Sequence, residues 1–394
     1  MAELISIDAA RRCVLEAVRP LPADATSLAA AHRRVLAEDV TSAIDVPPFD
    51  SSAMDGYAAA AGPAAELEVI DESRAGHPAA ASVAPGTAVR ISTGAAVPEG
   101  ANAVVPVERT ELTHGRVRVP ATTPGQNIRY AGEDVRASDV VLRAGAVLGP
   151  PELGVAAAVG RADLRCARRP RVALLVTGDE LTPPTEPLGP GRIYGSNGVA
   201  LAAQVERAGG ELVLDQIVAD TADATRQALA QALDAADMVI VSGGVSVGPH
   251  DHVKDGLREL GVEERLWGVR LKPGKPTWFG TRDRTLAFGL PGNPVSAMVT
   301  FQLFARPALA ALQGADPAAR RGVAVLDDDL PRNPRRDEAV RVRLRAAADG
   351  WHAEPTGEQD SHMLTSMLGA DALALIGSGD GQAAAGERVE VELL

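Results

Sequence analysis

Aromatic residues are scarce in this 394-residue chain, at 3%. A surface that stacks successive nucleobases needs such rings, so helices and aliphatic strands are favoured over a stacking platform. Cysteine is scarcer still. Cys13 and Cys166 lie far apart and form no CxxC pair, which fits reduced cytosolic thiols better than a disulfide or a thiolate metal site. Positive charge is in deficit, with 39 Lys and Arg against 52 Asp and Glu and a net charge of −13. Nucleic acids and anionic membranes repel such a surface, so neither is expected as a partner, and any anionic ligand must be held by a local cluster of donors. No run approaches the ~18 apolar residues needed to cross a bilayer. The start, "MAELISIDAARRC", lacks the apolar core of a secretory signal. A cytoplasmic location is the expectation.

What is present is a varied, well-filled chain: 46% of residues are hydrophobic, enough for several cores at this length. Residues 7–19 and 27–37 carry helical patterning. From 46 to about 135 short strand-like runs ("LEVI", "TAVRIST", "NAVVPVE", "RVRV") alternate with Gly, Pro and Asn, the mark of an all-β module. Residues 138–160 return toward helix, which makes the β module an insertion. Beyond Arg168 the texture becomes α/β. Strand-length apolar runs at 171–177, 211–218, 237–243 and 285–291 are separated by helical segments at 197–208, 223–235, 252–260 and 294–312. Continuous apolar strands with helical crossovers predict a parallel sheet covered on both faces. The tail from about 320 alternates charged and apolar residues, as a small β domain does.

Right-handed crossovers place the turns after the four strands on one sheet edge, where open α/β sheets bind ligands. Those turns are Thr177-Gly178-Asp179-Glu180, Ala219-Asp220, Gly243-Gly244-Val245-Ser246-Val247-Gly248 with Asp251, and Pro291-Gly292-Asn293-Pro294. The glycines of 243–248 let backbone amides approach an anion, and the following helix offers its positive end. It is not a P-loop, since no Gly-Lys-Ser/Thr follows. Positive charge comes instead from Lys272-Pro273-Gly274-Lys275-Pro276, a stiff turn presenting two ammonium groups, or else a surface turn with two solvated lysines. Glu180, Asp220 and Asp251 would repel a phosphate unless a cation lay between them, and hard oxygen ligands beside phosphate suggest Mg²⁺. Asp251 also suits a helix N-cap. His250 and His252 diverge if a helix starts at Asp251, so a zinc site is not expected there.

The motifs "PPFDSSAMDGYA" (47–58), "TGAAVPEGANAVV" (93–105), "GQNIRYAGEDV" (125–135), "TGDEL" (177–181), "SGGVSVGPHD" (242–251), "KPGKP" (272–276) and "GLPGNPVSA" (289–297), in this order, resemble the molybdopterin molybdenumtransferase family, which also includes the C-terminal part of gephyrin. The likeness spans essentially the whole chain. It implies a multidomain α/β plus all-β fold: a helical domain (1–45 and 136–167) interrupted by an inserted β domain (46–135), a molybdopterin-binding α/β domain with a parallel sheet (168–318), and a C-terminal β-barrel domain (319–394). It implies insertion of molybdenum from molybdate into adenylylated molybdopterin (molybdopterin-AMP), with release of AMP and the molybdenum cofactor, and Mg²⁺ as cofactor. It further implies a homodimer with the active site shared between subunits, and transient contact with a molybdopterin adenylyltransferase.

Carried over by motif, Asp55, Asp134, Glu180, Asp220, Asp251, Lys272 and Lys275 are the expected catalytic residues, with Glu180, Asp220 and Asp251 on the metal. Asp55, Thr93 and Asp134 would be supplied by the partner subunit. Thr177, Gly178, Ser242, Gly243, Gly244, Val245, Ser246 and Gly248 would hold the substrate, and Pro291, Gly292 and Pro294 would line the pocket. Arg336, Arg341 and Ser361 resemble positions that help bind the oxyanion. The plainer alternative for Arg341, Arg343 and Arg345 is one solvated face of an alternating strand. Ser51, Ser92, Asn102 and Gly195 depart from the usual residues, and Gly195 alone adjoins a ligand-contacting turn.

Overall fold

The four apolar runs become four parallel strands, Arg171–Thr177, Glu211–Val218, Met238–Ser242 and Thr285–Leu290. Their neighbours run second, first, third, fourth, and the antiparallel strands Trp278–Arg282 and Glu263–Trp267 complete that edge. The computed structural model describes residues 4–244, 252–318 and 320–394. They fall into two compact units, Met1–Asp24, Arg33–Ala37 and Arg165–Leu394 in the first, Ala25–His32 and Glu38–Leu164 in the second. This is coarser than the four parts expected from the sequence.

In the first unit, side-chain alternation along the strands feeds two cores. Val172, Leu174, Ile240 and Phe288 pack with Leu201, Val205 and Val295 on one face. Ala173, Leu175, Val239 and Val241 meet Leu229, Leu233 and Leu257 on the other. The covering helices are Ser196–Arg207, Ala222–Ala235, His252–Glu259 and Pro294–Leu312, close to the expected spans. Pro294–Leu312 corrects one expectation. It is a run long and apolar enough for a bilayer, with mean hydropathy 1.4, but 78% of it is buried in this core.

The N-terminal helix Ile7–Ala17 belongs to the same unit. Ser6 caps it by accepting from the Ala9 amide, and Ile7, Ala10 and Val14, spaced for one helical face, join the sheet core. Arg11, also on the buried face, pairs with the fully buried Glu392, which Arg306 reaches at 2.7 Å. With Arg321 at 3.9 Å, three cations surround one carboxylate and satisfy a charge that burial would otherwise penalise. The expected second helix, 27–37, is absent. Only Leu28–Ala30 makes a single 3-10 turn; Arg33 takes a left-handed φ of 61°, and Leu36 bridges to Cys166 instead.

At the C-terminus, strands Arg321–Leu326, Asp337–Ala347, Gly350–Pro355, Ala372–Ile376 and Arg388–Leu393 pair in a closed ring of five. Closure removes the exposed edges, and Leu326, Val340, Val342, Ile376 and Val391 fill the interior. The two-residue strand Leu271–Lys272 adds in parallel to Asp337–Glu338.

The second unit is built on a six-stranded sheet ordered Ala103–Pro106, Gly56–Ala59, Thr87–Ile91, Ala65–Ser73, Arg116–Val119, Glu111–Thr113. Tyr57, Leu67, Ala88, Val105 and Val117 form its core. Val40–Thr41 pairs with Val140–Leu142, and Val46 bridges to Val135, so the chain entering this β module meets its own exit.

Candidate active site

Because the four strands are parallel, their carboxyl ends share one edge. The chain order reverses between Arg171–Thr177 and Met238–Ser242, the switch point at which such sheets open a crevice. Thr177 and Gly243 meet there. Gly243 has φ +93°, and a Cβ on it would lie 2.7 Å from the Thr177 hydroxyl oxygen, so only glycine lets the two turns close. The Ser242 hydroxyl, 1% exposed, lies 3.3 Å from the Pro291 carbonyl oxygen. Asn197 donates to Ser242 Oγ (2.9 Å) and to the Gly292 carbonyl (2.8 Å). Sequence reading missed Asn197, although its place at the start of a helix just after the "IYG" turn was a usable signal. Gly244 follows directly on the described chain; Val245, Ser246, Gly248, His250 and Asp251 lie outside the described residues.

The acids stand after the first two strands. Asp220 and Asp179 accept from each other's amides at 3.3 and 3.1 Å, so Asp179, not singled out by the sequence, is drawn beside Asp220. The Glu180 carboxylate folds over Gly178, both oxygens 2.8 Å from where a Cβ would be. Among the described residues no three acids, histidines or cysteines cluster as a metal cage. Neighbouring exposed carboxylates do fit Mg²⁺, which keeps most of its waters and takes one or two protein carboxylates.

Farther along the edge is a cleft of about 430 Å³. It brings together Lys272, Lys275, Pro291, Gly292, Arg336 and Ser361, six of the expected residues, with Asn293, Gln359 and Asp360; Glu180 and Asp220 are not among its lining. Gly274 has φ +124°, and a Cβ there would sit 2.5 Å from Thr300 Cγ2. Its carbonyl accepts from the buried Thr277 hydroxyl at 2.7 Å, which pins the turn. The two lysines differ. Lys272 donates to Glu338 at 2.9 Å, so its charge is already paired, contrary to the expectation of two open ammonium groups. Among the described residues the Lys275 ammonium and the Arg336 guanidinium have no partner. The chain holds three lysines in all, Lys254, Lys272 and Lys275. Two of three falling in one five-residue turn, in a chain that otherwise uses arginine, was a compositional signal for this cleft. Asn293 Nδ2 donates to Ser361 Oγ at 2.7 Å and ties the Pro-Gly-Asn-Pro turn to the barrel loop.

Arg341 contradicts the solvated-face alternative. It is neither on a solvated face nor in the cleft lining but 0% exposed. Of the three arginines on that strand, only Arg343 and Arg345 are exposed.

In the second unit three motifs of the β module, 47–58, 93–105 and 125–135, converge. The Ser52 amide donates to the Ala95 carbonyl (3.0 Å) and its carbonyl accepts from the Gly94 amide (2.8 Å), while Ala53 donates to the Asn127 carbonyl at 2.9 Å. Asp55 accepts from the Thr93 amide (2.6 Å) and hydroxyl (3.1 Å). Those bonds, the amide's foremost, hold the Asp55 carboxyl below its ordinary range. Asp134 donates its amide to the Val46 carbonyl and keeps an exposed side chain; among the described residues no hydrogen bond joins it to Asp55 or Thr93.

Three family models match in succession: MoeA N-terminal region (domain I and II) over residues 5–160, probable molybdopterin binding domain over 173–311, and MoeA C-terminal region (domain IV) over 323–394. The molybdopterin molybdenumtransferase of Haemophilus influenzae is 36% identical over 400 residues, covering 99% of this chain and 98% of the relative. Molybdopterin molybdenumtransferase 2 of Mycobacterium tuberculosis is 37% identical over 403 residues, covering 98% of each. The crystal structure of a molybdopterin biosynthesis moeA protein from Pyrococcus horikoshii OT3 matches at a TM-score of 0.85 and 30% identity, covering 100% of both chains.

Proposed function

The chain belongs to the molybdopterin molybdenumtransferase family, a transferase of molybdenum cofactor biosynthesis, and on that premise we propose that it takes adenylylated molybdopterin and molybdate and releases AMP and the molybdenum cofactor. One observation supports this reading above the rest. The cleft gathers an ammonium and a guanidinium that are unpaired among the described residues, with a hydroxyl, beside the carboxyl edge of a parallel sheet, in a chain whose net charge is −13.

A tetrahedral dianion in the cleft takes charge-assisted hydrogen bonds from Lys275 and Arg336 and a neutral one from Ser361. The pterin nucleotide lies along the edge, its phosphates against the backbone of Gly243 and Gly244, with Thr177, Gly178 and Ser242 shaping the turn; Val245, Ser246 and Gly248 are further substrate contacts by motif alone. Pro291 and Pro294 wall the pocket around Gly292. Glu180, Asp220 and Asp251 are the residues that would hold Mg²⁺, which when bound offsets phosphate charge and polarises the anhydride. Water attacks the adenylyl phosphorus, the phosphoanhydride P–O bond breaks, AMP leaves, and the phosphate oxygen stays with the pterin. Lys272, set by Glu338, faces the charge that develops. Asp55, Thr93 and Asp134 of the partner subunit complete the site in a homodimer, and an adenylyltransferase delivers the substrate in the cytoplasm. Light scattering in solution tests the dimer; a monomer would exclude the shared site.

The direct test is AMP release from adenylylated molybdopterin with Mg²⁺, with and without molybdate. Release should depend on molybdate, and Glu180→Ala should slow it about 100-fold, the scale of a lost catalytic group. Molybdate-independent release, or wild-type turnover in Glu180→Ala, contradicts the reading.

A further inference from the structure

Arg341 lies on the Asp337–Ala347 strand of the barrel and is wholly buried. None of its hydrogen bonds goes to a carboxylate. Its side chain donates to the carbonyls of Glu358 (3.4 Å), Gln359 (3.1 Å) and Asp360 (3.3 Å) and to Ser366 Oγ (3.0 and 2.9 Å). Its own amide donates to the Gln359 side-chain oxygen at 2.8 Å, and its carbonyl accepts from the Thr356 amide at 3.0 Å. The Ser366 hydroxyl passes the network on to the Met363 carbonyl at 2.6 Å. One guanidinium thus holds three successive carbonyls of a loop that has no regular structure of its own between Pro355 and Leu364.

Burying a guanidinium among neutral acceptors is costly, and an apolar side chain would fill the same barrel position more cheaply. The cost has a return in what the loop carries. Gln359, Asp360 and Ser361 are the next residues along it, and all three line the cleft. Ser361 also receives Asn293 from the opposite wall. Burial lowers the Arg341 pKa to about 10, which still leaves the group charged at neutral pH, with positive charge standing behind the cleft wall.

We propose that Arg341 is a positioning residue for oxyanion capture, which never touches the anion but fixes the 358–361 segment so that Ser361 meets it. The proposal deepens the reading of the cleft as the molybdate site and rests on it. It makes Arg341 a support for Ser361 rather than a second ligand beside Arg336, and only a planar fork of five donors can grip three carbonyls and a hydroxyl at once.

Wild type, Arg341→Met, Arg341→Lys, Ser361→Ala and the Arg341→Met/Ser361→Ala double variant are titrated with molybdate and, separately, with adenylylated molybdopterin, with thermal melts in parallel. Arg341→Met should weaken molybdate binding by roughly tenfold and leave pterin nucleotide binding within about twofold. Arg341→Lys keeps the charge but not the fork, and should weaken molybdate by a similar factor. The double variant should lose less than the product of the single losses, because Ser361 is already displaced when Arg341 is gone. Unchanged molybdate affinity with a lowered melting temperature overturns the proposal, and so do independent, multiplying losses. If Arg341→Met does not fold, Arg341→Lys decides alone: wild-type affinity overturns the proposal, and weakened affinity with a wild-type melt supports it. A wild type that binds pterin nucleotide but no molybdate removes the cleft reading itself, and the proposal with it.

Discussion

Lys272 and Lys275 sit three residues apart and have different surroundings. Glu338 takes the first, while the second, at the cleft, has no partner among the described residues. An ammonium is a compact point charge with three rotatable donors, whereas a guanidinium is a larger planar fork. Lys275→Arg keeps the charge but not the shape, and should weaken molybdate binding about tenfold without changing the melting temperature; equal affinity in a titration would show that charge alone suffices. This residue pair was legible in the sequence because proline and glycine brace it. Arg341 was not. Period-two alternation puts residues 341, 343 and 345 on one face, opposite Val340 and Val342, which fill the barrel interior, but the 358–366 loop folds over Arg341 and not over the other two. Alternation reports the faces of a strand and is blind to which part of a face a distant loop will cover.

At the scale of elements, the four parallel strands were readable nearly to the residue, since the three inner ones, covered on both faces, are almost wholly apolar, and the edge strand Glu211–Val218 keeps a run of Leu, Val and Ile around Asp215 and Gln216. The antiparallel pair Glu263–Trp267 and Trp278–Arg282 was not, for it mixes Glu, Arg, Thr and Gly with only a few buried side chains. Residues 27–37 misled in the other direction. Ala, Leu and Arg favour helix, but propensity is a weak prior, and the left-handed Arg33 and the bridge from Leu36 win locally. The turn that matters most for function is Lys272–Pro276. Gly274→Ala adds a Cβ against Thr300 and Leu271 at a positive φ, and should cost about 1–3 kcal/mol of stability from strain and overpacking. It should also displace Lys275, so denaturant unfolding and molybdate titration ought to worsen together. A variant as stable as wild type would show that the turn tolerates a side chain.

On the whole-molecule scale, the chain is acidic, with a net charge of −13, yet one cleft is lined by both Lys275 and Arg336, neither ion-paired among the described residues. That contrast is the physical core of the account: a local field captures an oxyanion that the remaining surface repels. The order of motifs along the chain anticipated the family. It could not anticipate that Glu338 and Asp360 would temper the cleft, because their approach depends on the Leu271–Lys272 strand joining the barrel sheet, a pairing between segments 66 residues apart. Tungstate has the size and charge of molybdate and scatters X-rays anomalously. Crystals of the wild type soaked in tungstate should show one dominant anomalous peak between Lys275, Arg336 and Ser361. A dominant peak elsewhere, with that cleft empty, would contradict the account.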